Sequence, residues 1–272
     1  MVLRSTFFLS APAARGSRSA AHAHLSRSRR ALHCLLAASL LLALAATGGG
    51  SIPDRPVTGG PPATYLADIS VSLSRAWPTN RCVNIVCHGH SVPAGYFKTP
   101  VVETFNAYPH LLHRALKEKF PYAVINVIVT AIGGENSEAG AKRFEADVLA
   151  LHPDVVTIDY ALNDRAIGLA CAEAAWRSMI TNALQRHVKV VLLTPTPDTG
   201  ARLESPADPL SRHAEQIRSL AREYRVGLVD SLAAFKTQAG AGRRLEDFMS
   251  QANHPNRQGH ELVAGELLRL FF

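Results

Sequence analysis

Between residues 82 and 229 the chain alternates short β-branched runs with longer stretches in which apolar positions recur every three or four residues. Residues 82–87 (CVNIVC), 123–129 (AVINVIV), 155–159 (VVTID), 188–193 (VKVVLL) and 226–229 (VGLV) are too short and too rich in Val and Ile for helices. They read as five buried parallel strands. Helical patterns occupy 105–120, 137–151, 170–186 and 209–224, and a last one, 257–270, closes the chain. Asp230, directly after the fifth run and followed by Ser231, reads as the N-cap of a further helix. Such alternation predicts an α/β fold, a doubly wound parallel sheet with helices on both faces.

In a sheet of this kind the ligand sits outside the carboxyl ends of the strands, and the polar residues gather there. The first strand runs into His88-Gly89-His90-Ser91, the second into AIGGENS (131–137), the third into YALND (160–164), and NHPN (253–256) precedes the final helix. A Gly-x-Ser turn alone would be an ordinary loop; four such loops on one rim offer a reaction. Ser91 is the candidate nucleophile and His254 its base. The backbone N–H groups of Ser91 and Gly134 and the side-chain amide of Asn163 are candidate oxyanion donors. At Gly134 the missing Cβ would let a substrate oxygen approach the main chain.

A serine, a glycine, an asparagine and a histidine on these four loops resemble the SGNH (GDSL-type) hydrolase superfamily over about residues 80–272. GHSVPAGY is similar to its first block, AIGGENS to its second, ALND to its third and NHPNRQGHELVA to its fifth. The resemblance implies a three-layer α/β/α flavodoxin-like fold and ester hydrolysis without a cofactor. It also carries the roles of nucleophile, oxyanion donors and base onto Ser91, Gly134, Asn163 and His254.

Three positions depart from the family pattern: His90 stands at the usual aspartate, Ala161 at the usual glycine, and Gln251 at the triad acid three residues before His254. The site therefore reads as a Ser–His dyad with a neutral orienter. Gln251 offers its side-chain oxygen and its backbone carbonyl to Nδ1 of His254. Asp247 and Asp230 are the alternative carboxylates, Asp247 reading as surface and Asp230 as a helix cap. His88 and His90 form a His-x-His pair, but no carboxylate or third histidine lies at ligand spacing, so no metal is assigned. His260 reads as a packing or capping residue and Asp164 as structural. Glu135 and Asn136 stay open between loop surface and substrate contact.

The 272 residues, 47% of them hydrophobic, suffice for one domain with a full core. The formal charge of +7 suggests a nucleic-acid partner until it is located: residues 1–50 carry six arginines and no acid. The remainder has 23 basic against 22 acidic residues, which excludes a basic nucleic-acid surface. Ser28-Arg29-Arg30 leads into an apolar run, 31–46 (ALHCLLAASLLLALAA), too short for a comfortable membrane span. Residues 1–47 read as a cleaved signal peptide, of twin-arginine or ordinary secretory type, with an uncleaved anchor as the alternative. Residues 48–64, rich in Gly and Pro, read as a flexible linker, and 65–272 as the hydrolase-like domain.

The expected product is exported, periplasmic or extracellular, without a stable membrane anchor. Cleavage would leave Cys82, Cys87 and Cys171, an odd count that makes no disulfide framework. Cys82 and Cys87 face opposite ways on one strand and read as buried thiols. The substrate expected is a small-molecule or carbohydrate ester, such as an O-acetylated sugar. A non-catalytic glycan-binding module and an O-acyltransferase are the alternatives; Ser91, Gly134, Asn163 and His254 occurring together favour the enzyme. The long loop at 194–208 follows the fourth strand, where it could line the pocket.

Overall fold

A computed structural model describes residues 65–272. The expected signal peptide, residues 1–47, and the linker, 48–64, lie outside the described residues. Strand β1 (Cys82–Gly89) pairs in parallel with β2 (Val124–Val129) on one side and β3 (Val155–Asp159) on the other. Beyond β3 follow β4 (Lys189–Leu193) and β5 (Gly227–Val229), giving the order β2-β1-β3-β4-β5. The five expected strands are present, and this is the flavodoxin-like order. Its switch point lies between β1 and β3, where successive connections leave to opposite sides and open a crevice.

The helices are α1 (Ala67–Leu73), α2 (Ser91–Ala94), α3 (Tyr108–Lys119), α4 (Ser137–Asp147), α5 (Ala161–Asp164), α6 (Leu169–Gln185), α7 (Pro209–Tyr224), α8 (Ser231–Gly240) and α9 (Arg257–Arg269). The period-two alternation of the strands distributes them into two layers. Val83, Ile85 and Cys87 of β1 enter one core with Leu112 of α3, Phe235 of α8 and Val263 of α9. Val86, Val156 and Ile158 enter the opposite core with Phe144 of α4, Trp176 of α6 and Ile217 of α7. The fold is thus a central five-stranded parallel sheet flanked by helices.

Asp230 does cap α8, accepting from the N–H of Ala233 at 3.1 Å. Several short elements lay outside the sequence pattern: α1, α2, α5, and a small antiparallel hairpin of β6 (Met249–Gln251) and β7 (His254–Pro255). The hairpin is too short for any periodicity. Of the two cysteines of β1, Cys87 is buried as expected, whereas Cys82, at the strand's first position, is exposed. Burial pushes the Cys87 thiol up to about 12.

Five of the described histidines are buried, and three of them are shifted far from the ordinary imidazole value. Burial lowers His88 to about 4, helped by the nearby Arg143 charge. It lowers His213 to about 4, with Arg165 adding to the effect, and His260 to about 3. Folded values below the unfolded one near 6.5 mean that the unfolded chain binds more protons as pH falls. Stability contributed by keeping these rings neutral is full above about pH 6.5 and is lost on acidification, at up to about 4 kcal/mol per pH unit for the three together. The urea midpoint should therefore fall steeply between pH 7 and pH 5, and His260→Gln should make that fall shallower.

Candidate active site

β1 ends at Gly89, where a Cβ would collide with the backbone carbonyl of Asp159 and the ring of Pro93. Only glycine lets β1 and the turn after it approach β3 this closely, and that approach sets the start of α2. Ser91 is its first residue, 6% exposed in the crevice. Gly95 ends α2 with a φ of 90°, the left-handed conformation that a glycine adopts without strain.

His254 reaches the serine from the far end of the chain. The chain turns through the β6–β7 hairpin, and Asn256 then caps α9 by accepting from the N–H of Gly259. His254 Nε2 lies 2.9 Å from Ser91 Oγ, and its Nδ1 lies 2.8 Å from the backbone carbonyl oxygen of Phe97. A carbonyl can only accept, so Nδ1 carries the proton and Nε2 keeps the lone pair that takes the serine hydroxyl. Burial lowers the His254 pKa below the ordinary imidazole value; the Phe97 hydrogen bond opposes that shift, and the nearby His90 adds to it. The ring is therefore neutral at neutral pH, the form a general base needs.

The expected orienters of His254 are elsewhere. Gln251 lies opposite His254 in the hairpin. Its Oε1 accepts from the N–H of Thr99 at 3.0 Å and its Nε2 donates to Asn253 Oδ1 at 2.9 Å. The proton of Nδ1 goes to Phe97 instead of to either acceptor of Gln251. Asp247 is at the surface, paired with Arg244 at 2.8 Å, and that charge holds its carboxyl below the usual range. Asp230, the other alternative carboxylate, is held by Arg218 and Thr194.

Phe97 itself is fixed from two sides. Its ring stacks on His260 with centroids 5.3 Å apart, and His260 Nδ1 accepts from the N–H of Tyr108. Gln251 clamps the same loop two residues on, so its side chain acts on His254 indirectly, through the Phe97 segment and through Asn253. Gln251→Ala should leave KM unchanged and lower kcat by no more than about tenfold, since the loop keeps its internal Phe97–Val101 hydrogen bond. A Michaelis series on an aryl acetate checks this.

The opposite wall is the turn at 131–137. Gly134 has a φ of 79°, and a Cβ there would meet nothing within 4 Å, so its backbone faces open space. Among the described residues neither the Ser91 nor the Gly134 N–H donates to a protein acceptor. Asn163 Nδ2 donates to the Glu135 carbonyl at 2.9 Å, which ties α5 to the turn and uses one of its two amide hydrogens. Asp164 accepts from Ser137 N–H at 2.8 Å and from Trp176 Nε1 at 2.7 Å, as its structural reading required. Asn136 caps α4.

Glu135 is not free at the loop surface. Arg143 grips its carboxylate through Nε and Nη2, and the Tyr160 hydroxyl donates to it at 2.8 Å. The same hydroxyl lies 3.1 Å from His88 Nε2, and His88 Nδ1 meets Thr130 Oγ1 at 2.9 Å. His88 is thus spent on anchoring the turn, whereas His90 sits beside Ser91.

The loop at 194–208 does come to this rim: the N–H of Thr199 donates to the carbonyl of Ala252 at 2.8 Å, two residues before His254. Asp198 of that loop pairs with Arg165, two residues after Asn163, at 2.8 Å.

A serine hydroxyl aimed at a neutral imidazole, beside unengaged backbone donors, can attack an acyl carbon and hold the resulting oxyanion. Among solved structures, Axe2, an acetylxylan esterase from Geobacillus stearothermophilus, superposes with a TM-score of 0.60 at 23% identity, over 70% of this chain and 94% of that one. CEX, a two-domain esterase active on acetylated mannans, superposes with a TM-score of 0.62 at 21% identity, over 76% of this chain and 52% of that one. These likenesses show a shared fold. A comparison with curated proteins found no match. The GDSL-like Lipase/Acylhydrolase family matches residues 87–262, from the end of β1 into α9 and across all four loops of the crevice. The chain belongs to that family, the SGNH hydrolases, enzymes that act on acyl esters.

Proposed function

We propose that the protein is a carboxylester hydrolase that removes small acyl groups, acetyl first, from O-acetylated carbohydrate by acyl-serine chemistry. The observation that carries the reading is the 2.9 Å contact from Ser91 Oγ to His254 Nε2, with the Nδ1 proton held by the Phe97 carbonyl. Ser91 Oγ attacks the ester carbon while its proton passes to His254 Nε2. The N–H groups of Ser91 and Gly134 and the second amide hydrogen of Asn163 receive the oxyanion. The imidazolium then returns the proton to the leaving alcohol, and water repeats the sequence to free the acid.

A backbone carbonyl fixes the tautomer of His254 as a carboxylate would, but it offers only a dipole to the imidazolium. The carbohydrate assignment is supported by the polar rim: the Arg165–Asp198 pair joins the 194–208 loop to the segment two residues after Asn163, a charged pair suited to sugar hydroxyls. It is also supported by the names of the two similar structures, which are an acetylxylan esterase and an esterase active on acetylated mannans.

Hydrolysis of aryl esters from acetyl to octanoyl, alongside acetylated xylo- and manno-oligosaccharides, tests the reading on residues 51–272. Acetate should be released from the sugars, with kcat/KM for the aryl series falling as the chain lengthens. A preference for octanoyl, or no acetate from any sugar, would contradict it. Transfer of acetyl to an added sugar in preference to water would make the protein an acyltransferase.

The proposal includes export, because such polysaccharides lie outside the cell. The mature chain should begin near residues 45–50 on N-terminal sequencing, and an intact leader in the membrane fraction would contradict export. Among the described residues no helix is long and apolar enough to cross a membrane.

A further inference from the structure

Ser91 Oγ touches a second imidazole. His90 is fully buried, with Nδ1 3.4 Å from Ser91 Oγ and accepting from the N–H of Val92 at 3.3 Å. Since that N–H can only donate, Nδ1 is the unprotonated nitrogen and the proton of His90 sits on Nε2. Nε2 faces Asp159 Oδ1 at 3.4 Å, with the two side chains 0% and 2% exposed. This approach has the length of an ion pair but not the alignment of a hydrogen bond, and neither atom has a hydrogen-bond partner among the described residues. The other oxygen of Asp159 accepts from the Tyr108 hydroxyl at 3.3 Å.

A carboxylate thus stands one imidazole away from the nucleophile, whereas among the described residues none touches His254. We propose that the buried Asp159, seated behind His90, is an electrostatic support for the Ser91–His254 dyad. His90, its unprotonated Nδ1 toward Ser91 Oγ, fills and keeps dry the space behind the serine, and through that low-dielectric space Asp159 supplies negative charge that stabilises the imidazolium forming on His254. The inference rests on the acyl-serine reading above. No proton reaches Asp159: the serine proton goes to His254 and on to the leaving alcohol, while His90 keeps its own.

The other groups facing this pair and His254 do not replace Asp159. His254 also has the Tyr96 ring at 6.0 Å, and its charge is felt by His260, which burial keeps neutral. Asp159 acts on the Tyr108 hydroxyl and the Cys87 thiol, both of which burial keeps protonated. Asp164 is the other carboxylate near His90, and burial raises its pKa while Ser137 and Trp176 take both its oxygens.

The test is the pH–rate profile on an aryl acetate, with thermal melting as the folding control. Asp159→Asn should leave KM unchanged, lower kcat about tenfold, and move the acid limb to lower pH, because the His254 imidazolium has lost a favourable charge. His90→Asn can still accept from Val92 through its amide oxygen and leaves the Asp159 charge in place, so it should move the acid limb far less than Asp159→Asn does. D159E keeps the charge and should keep the wild-type acid limb whatever it costs in packing, a distinction that a merely structural role would not produce.

Folded Asp159→Asn with the wild-type kcat and acid limb would overturn the proposal. So would a D159E acid limb displaced to lower pH, which keeps the test open should Asp159→Asn alone not fold. Wild-type protein whose Ser91 is not labelled by an organophosphonate would instead overturn the acyl-serine reading itself.

Discussion

Replacing Ser91 with alanine is expected to lower kcat on an aryl acetate by about 10⁴- to 10⁶-fold, with KM within a few-fold of the original. The variant keeps the crevice and the backbone donors but has no atom to form the acyl bond. His254→Ala should approach the same loss, since the serine hydroxyl then has no base at 2.9 Å and no acid to protonate the leaving alcohol. The double variant should be scarcely slower than either single one, because the two side chains act as a unit. Additive losses would mean that Ser91 and His254 serve separate functions. Steady-state kinetics on the three variants decides this.

The second large effect is expected at Asn163. Its amide donates one hydrogen to the Glu135 carbonyl and has a second to offer the developing oxyanion. Asn163→Ala removes both and should lower kcat by about 10²- to 10³-fold, the scale of one lost oxyanion donor, with KM little changed. Asn163→Asp should be worse, since it sets a carboxylate against the Glu135 carbonyl and against the oxyanion. The turn itself should survive in Asn163→Ala, because Arg143, Tyr160 and Asp164 hold it independently. Loss of activity with an unchanged melting temperature separates the donor role from a folding role.

The sheet was legible because parallel strands buried on both faces leave unbroken runs of Val and Ile, and because Asp230, the cap of α8, stands at a strand-to-helix joint. The loops that make the crevice were legible for a different reason: Ser91, Gly134, Asn163 and His254 each carry their chemistry in their side chain or in its absence.

What orients His254 was not legible, because a backbone carbonyl belongs to every residue and Phe97 has no signature in the sequence. The place three residues before the histidine drew the inference to Gln251, whose oxygen is taken by Thr99. Chain proximity gives no side-chain direction in a two-strand hairpin this short. Nor could spacing separate His88 from His90. β1 ends between them: its alternation sends His88 toward Phe144 and Tyr160, while the turn after Gly89 carries His90, the cap of α2, beside the nucleophile. The Arg143–Glu135–Tyr160–His88 network spans four segments of the chain, and no single segment displays it.

The central claim is that an ester is cleaved through a covalent acyl group on Ser91, with His254 as base. Its most direct test is to quench the wild-type protein during turnover of an activated aryl acetate and map the modified peptide by mass spectrometry. The account predicts one acetyl group per chain, on Ser91, absent in Ser91→Ala and formed far more slowly in His254→Ala. An acetyl group on another residue, or none at all while Ser91→Ala still hydrolyses the ester, would contradict it.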